Sequence, residues 1–195
     1  EKPSPSKPAM SEEETTKKAK GIIEEFHSLY DYKEVAECIK ELKEKNAKLG
    51  IVLKYWLTDL LEGKKRSVDN FRKLIKELGS AGLFTKDDFN SGLVQIICTL
   101  EDLEIDVPKA PSIVAQIMAD LVAAKRASID VLGKPLSKAF EDFTGDKVEN
   151  LFDDTEVYQD FALHLHKSLV LQDAAQDAPH SGVGTPGRGR SSDSP

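Results

Sequence analysis

From Ala19 to Leu169 the apolar residues of this chain return every three or four positions, segment after segment, and that period admits helices and little else. Ala19, Ile22, Ile23, Phe26 and Tyr30 make a first stripe, opened by Ser11 with Glu14 three residues on, the spacing of a capping box. Val35, Cys38, Ile39 and Leu42 make a second, opened by Asp31 and Glu34. Leu49, Val52, Leu53, Trp56 and Leu60 make a third, and the further apolar positions Ile51, Tyr55, Leu57 and Leu61 predict burial on more than one side. Phe71, Leu74, Ile75 and Leu78 form a fourth stripe that stops at Gly79. Thr85 with Asp88 opens a fifth, running through Phe89, Leu93, Ile96 and Ile97 to Leu100.

A sixth stripe holds Ile113, Val114, Ile117, Met118, Leu121 and Val122. A shorter seventh holds Leu132, Leu136 and Phe140, and a last one runs from Leu151 and Phe152 to Phe161, Leu165 and Leu169. No alternating strand pattern competes with them. The fold class is therefore all-α. Pair starts near residues 12, 47 and 86 recur at roughly 35 to 40 residues, the range of helical-hairpin repeats, so stacked antiparallel helix pairs in a short α-solenoid are expected.

The ends differ in kind. Residues 1–10 carry Pro3, Pro5 and Pro8, and residues 174–195 are rich in Gly, Ser and Pro, so both are expected to be disordered around a helical domain at 11–173. Cys38 and Cys98 sit in helical stripes, which suits a reduced compartment, and no run approaches the roughly 18 apolar residues of a membrane span. A soluble, cytoplasmic protein without membrane contact is expected.

Charge bears on partners. Lys+Arg 27 against Asp+Glu 34 give a formal net charge of -7, which repels a phosphate backbone. Lysine clusters at Lys17, Lys18 and Lys20, and at Lys64, Lys65 and Arg66, together with Arg188 and Arg190 of the GRGR tail, keep RNA contact as an alternative; solvated helix faces explain them as well. None of His27, His164, His166 and His180 has a metal-site spacing, and DDFNSG at 87–92 puts Phe89 where a calcium loop needs oxygen. No phosphate loop or nucleophile elbow is present, so neither catalysis, a cofactor nor a metal is expected.

What remains is LEDLEIDVPKAP at 100–111. Read as the end of the fifth helix, it places Glu101 and Asp102 in a last turn, where the helix dipole opposes acids by about 0.3 to 1 kcal/mol each. Asp106 is expected to cap the sixth helix, with Pro108 in its first turn. Capping leaves Glu101, Asp102 and Glu104 unexplained, as a negative spot suited to a partner's Arg or Lys.

This stretch, the run SEEETTKKAKGIIEEFHSLYDYKEVAECIKEL at 11–42, LEGK at 61–64 and LIKELGSAGLFTKDDFNSGL at 74–93 together resemble the MA3 domain, over about residues 11–124. That domain occurs in the translation-initiation scaffold of the 4G type and, twice, in the programmed-cell-death translation repressor. The resemblance implies helix pairs related to HEAT repeats and a place in the translation-initiation complex. It implies as partner a DEAD-box RNA helicase of the 4A type, gripped by acids on the inter-helix junctions. Those acids correspond to Glu62, Asp102 and Asp106, followed by Pro108, with Glu101 and Glu104 in support; no residue is implied to be catalytic. A scaffold-type adaptor that modulates the helicase is the first reading, and a repressor-type domain that inhibits it is the alternative.

Overall fold

The computed structural model describes residues 9–63, 66–145, 147 and 151–177, and among these the chain is helical throughout, without strands. The elements are α1 (Glu12–Leu29), α2 (Tyr32–Glu44), α3 (Leu49–Glu62), α4 (Val68–Ser80), α5 (Lys86–Ile97), α6 (Leu100–Asp106) and α7 (Ala110–Ala123). A 3-10 turn (Ile129–Leu132), α8 (Lys134–Thr144), α9 (Leu151–Asp154) and α10 (Glu156–Asp177) complete them.

The starts are where local chemistry requires. Ser11 and Glu14 close a reciprocal capping box on α1, and Thr85 and Asp88 close another on α5, so each pair satisfies two amides that the first turn leaves without partners. Asp31 accepts from the amides of Lys33 and Glu34 at the head of α2, and Ser67 from that of Asn70 at the head of α4.

Helix α3 is the centre. It packs against α1 on one side and α5 on another, with a further contact to α7. Val52, Leu53, Trp56 and Leu57 are fully buried, as the two-sided apolar pattern predicts. Burying Trp56 would strand its indole N–H, but Nε1 donates 2.8 Å to the Ala19 carbonyl of α1. Its ring leans on Phe84, which stacks on Phe89 at 5.2 Å, carrying the core into α5.

Helices α2, α4 and α7 form the second layer and run in one direction. Lys43 near the end of α2 donates to the Gly82 carbonyl just past α4; Arg72 of α4 pairs with Asp120 of α7; and Gly79, seven residues on, faces Arg126 beyond α7. The junctions that enter these three helices therefore share one edge of the stack. Helix α10 lies along α7 and closes its outer side, fastened by Gln172 donating 2.6 Å to Asp120.

Several expectations need correction. The fifth stripe is two helices, because the chain breaks at Cys98 and Thr99, where the Thr99 hydroxyl and amide both bond the Ile96 carbonyl and interrupt the regular ladder. The seventh is a 3-10 turn and a helix parted at Gly133, and the last is α9 and α10 parted at Thr155, whose carbonyl receives the amides of Tyr158 and Gln159. Finally α10 continues to Asp177, past the end expected at 173, over Ala174 and Ala175, which favour helix. At the other end Met10 belongs to the packed body, its amide donating 3.2 Å to the Lys45 carbonyl. The rest of both expected tails lies outside the described residues.

The crossing of α3 and α5 is close enough to need glycine on both sides. A Cβ on Gly92 would stand 2.7 Å from Leu53 Cδ2 and 2.8 Å from its Cβ, and one on Gly50 would stand 2.6 Å from Ser91 Oγ. Gly92→Ala should therefore lower stability by about 1–3 kcal/mol despite alanine's better helix propensity, read as a lower urea midpoint with an unchanged slope.

Candidate functional site

The acidic stretch does not end α5; it forms its own helix. Leu100 is fully buried and Leu103 and Val107 pack on the core, so one side of α6 is spent inward at helical spacing. Glu101, Asp102, Ile105 and Asp106 are exposed, and Glu104 is half-buried. Asp102 and Asp106 are four apart and so share the outward face, where like charges cost about 0.2–0.5 kcal/mol.

This placement exchanges the roles expected of the acids. Glu101 and Asp102 stand in the first turn of α6, where the helix dipole favours them, not in a last turn where it would oppose them. Asp106 is the last residue of α6 and caps nothing: the residue preceding α7 is Lys109, which makes no side-chain cap. Pro108 is not in the first turn of α7 either; Pro111 holds that position. Pro108 instead stands second in a turn closed by the Ala110 amide donating 2.8 Å to the Val107 carbonyl, with Lys109 at φ -91, ψ 0, a type I turn that proline pre-organises. Asp106 thus becomes the acid without a local reason.

Glu62 is the final residue of α3 and exposed, on the neighbouring junction of the same edge. Its nearest cation in the described sequence is drawn away. The chain turns at Gly63 so that Arg66 reaches back over the helix end, Nε 3.1 Å from Asp59 Oδ2 and Nη2 donating 3.2 Å to Oδ1. Only glycine permits this, since a Cβ at 63 would lie 2.4 Å from Arg66 Cγ and 2.7 Å from the Asp59 carbonyl. Asp59 Oδ2 also lies 3.2 Å from Nε2 of His27, whose side chain is only 4% exposed.

Among the described residues none of Glu62, Glu101, Asp102, Glu104 and Asp106 has an ion-pair partner. The edge therefore presents carboxylates that no described residue compensates on two successive junctions, with Ile105 among them at 79% exposure. An isolated β-branched side chain held out between acids is a contact that charge counting along the sequence does not single out. Its signal was the apolar position out of register with Leu100, Leu103 and Val107.

Helix α6 is braced from behind by Tyr158 of α10, fully buried, whose hydroxyl donates 3.4 Å to the Cys98 carbonyl at the α5 break. Burial first, then the neighbouring Cys98, Glu101 and Asp102, holds this phenol well above its ordinary range, and burial pushes the Cys98 thiol up to about 11. Both stay protonated, so Tyr158 is a hydrogen-bond donor and Cys98 no nucleophile.

The basic clusters fare differently. Lys17, Lys18 and Lys20 are exposed on α1, with Lys20 beside Glu24 at 3.9 Å, whereas Arg66 is committed to Asp59. Lys64, Lys65 and the GRGR tail lie outside the described residues. Among those residues, no helix is long and apolar enough to cross a membrane.

Burial, then the Arg66 charge, lowers the pKa of His27 below 6.5, outweighing the pull of Asp59. A histidine so depressed contributes stability that is complete above about pH 6.5 and is lost as pH falls through that value, because the unfolded chain takes up the proton first. Denaturant titrations of wild type and His27→Gln at pH 7.5 and 5.5 should show the larger loss on acidification in the wild type.

Residues 15–126, more than half of the chain, match the MA3 domain. The chain is similar to eukaryotic translation initiation factor 4 gamma 3 of Mus musculus, 31% identical over 138 residues that cover 69% of this chain and 9% of that protein. It is similar to eukaryotic translation initiation factor 4 gamma 1 of Oryctolagus cuniculus, 30% identical over 138 residues, covering 71% and 9%. It also resembles eukaryotic translation initiation factor 4G of Triticum aestivum, 31% identical over 136 residues, covering 69% and 9%. The chain thus spans only 9% of the length of each of these relatives.

Proposed function

This chain belongs to the MA3 domain family, and from that premise we propose that it is a translation-initiation adaptor that binds a DEAD-box RNA helicase of the 4A type through the acidic edge and adjusts its activity. The observation that carries the reading is the set of acids without an ion-pair partner among the described residues on two successive junctions, Glu62 on one and Glu101, Asp102 and Asp106 on the other. Carboxylates arranged this way lower their mutual repulsion when a partner brings Arg or Lys between them, and Arg can take a carboxylate through two parallel hydrogen bonds.

In this reading each part of the edge has a task. Asp102 and Asp106 supply one charged strip, and Glu62 a second point that fixes orientation, since two separated anchors define a direction where one does not. Pro108 holds the strip at a set angle to α7 through its turn, which limits the ordering cost of binding. Ile105 seeks an apolar recess bordered by the partner's cations, and its burial would contribute about 1–3 kcal/mol. The domain acts by position: holding one surface of a helicase favours whichever helicase conformation fits the edge, and the same contact stimulates or inhibits according to which conformation that is. The inhibitory, repressor-type outcome is the second reading, favoured where the edge occupies the helicase's own RNA path. Direct RNA binding by this domain is disfavoured by the net charge and by the commitment of Arg66 to Asp59.

Asp102→Ala with Asp106→Ala should weaken binding to a purified 4A-type helicase at least about tenfold, roughly 1.4 kcal/mol, with the helical circular dichroism unchanged because Asp106 caps no helix. The wild-type affinity should fall as salt rises from 50 to about 300 mM and that of the variant should fall less. Ile105→Ser should weaken binding with the wild-type salt slope retained. Affinity indifferent to all three substitutions would remove the edge from the interface.

A further inference from the structure

A second surface, of opposite sign, lies on the outer layer. Helices α4, α7 and α10 enclose a groove of about 640 Å³ between their facing sides. Its floor is apolar, formed by Ile117 and Leu121 with Ala123 and Ala124 towards the open end. Lys73 and Lys76 project from α4 on one rim, exposed and without an ion pair among the described residues, and Arg126, likewise without one, stands at the end where α7 finishes. The stem of Arg126 runs over Gly79, its Cγ 3.7 Å from where a Cβ there would sit, which places Arg126 beside the C-terminal end of α4.

The groove's own carboxylates do not cancel this charge. Asp120 is engaged at both oxygens: Arg72 donates to each of them, 2.9 Å from Nη2 to Oδ1, and Gln172 donates 2.6 Å to Oδ1 as well. That junction braces the wall, and its hydrogen bonds with Asp120, outweighing burial, raise the Arg72 pKa further. Asp69 stands 3.8 Å from Arg72 and is largely exposed. Four cations thus face two carboxylates, both next to Arg72, within a chain of net charge -7.

We propose that this groove is a second docking site, which takes an acidic amphipathic segment of a partner protein, its apolar side chains on the Ile117 and Leu121 floor and its carboxylates against Lys73, Lys76 and Arg126. Charge complementarity requires an anionic occupant, and the apolar floor requires one with aliphatic side chains. Single-stranded RNA meets only the first condition, because none of the lining residues is aromatic and bases would find no ring to stack on. The groove is reached from the flank of α4 and α7, whereas the acidic edge lies at their entry junctions. The two sites can therefore be filled together, one by a basic surface and one by an acidic segment.

The test uses the full 195-residue chain and fluorescein-labelled twelve-residue peptides in which Glu and Asp surround Leu or Ile at helical spacing, read by anisotropy. Control probes are the same peptides with Lys for the acids and a labelled twelve-nucleotide poly(U). At least one acidic peptide should bind with a Kd on the order of micromolar, Lys73→Glu with Lys76→Glu should weaken it at least about tenfold, and Ala124→Trp, which fills the open end, should do the same. Lys134→Glu with Lys138→Glu, the same charge change on exposed residues of α8, should leave it within about twofold. The proposal is overturned if no acidic peptide saturates below about 1 mM, if both charge reversals weaken binding equally, or if poly(U) alone binds.

Discussion

Trp56 fixes the geometry on which both surfaces depend. A fully buried indole has one orientation in which its N–H is satisfied, and here that orientation points at the Ala19 carbonyl, a helix-interior acceptor whose position is set by α1 itself. The bond therefore sets how far along α1 the helix α3 can sit. Through Phe84 and Phe89 the same ring sets α5, and the glycines at the α3 and α5 crossing let the backbones close on it. Once α1, α3 and α5 are fixed in register, the junctions at their ends are fixed too, and an edge of carboxylates can have a shape.

The electrostatics of that edge follow from what the fold does with its cations. Arg66 folds inward over Gly63 to share Asp59 with His27, and so is taken out of reach of Glu62. On the other flank Arg72 is drawn into Asp120. Two arginines are thus spent on holding helix ends and helix pairs together, which leaves acids exposed on one side and lysines on the other. The separation of charge over the surface is a consequence of where the internal pairs form.

Element identity was legible because burial follows helical period closely; Ala19, Ile23 and Phe26, or Leu74, Ile75 and Leu78, are the inward faces their spacing implies. The capping residues Ser11, Asp31 and Thr85 were legible for the same reason, since the side-chain bond is local. The break after Ile97 was not, because the apolar period runs on through Leu100 and what interrupts the helix is a threonine bonding its own backbone. That one break moved Glu101 and Asp102 from an unfavourable helix end to a favourable start and took Asp106 off its cap. The residues of the acidic edge could be named from the chain, but the physical account of each could not. The Arg66 fold-back and the cationic groove depend on contacts between distant segments, and no spacing announces them.

The hydroxyl of Tyr158 meets the backbone at the one place where α5 and α6 part. A seven-residue helix has too few internal bonds to hold its own direction, so the aim of α6 is set from outside it, by a helix that begins more than fifty residues later. The acids at the front are steered by a rudder at the back. The reach of the domain's C-terminal half into its acidic edge is mechanical, so a substitution in α10 that shifts Tyr158 would re-aim the edge without changing a single carboxylate in it.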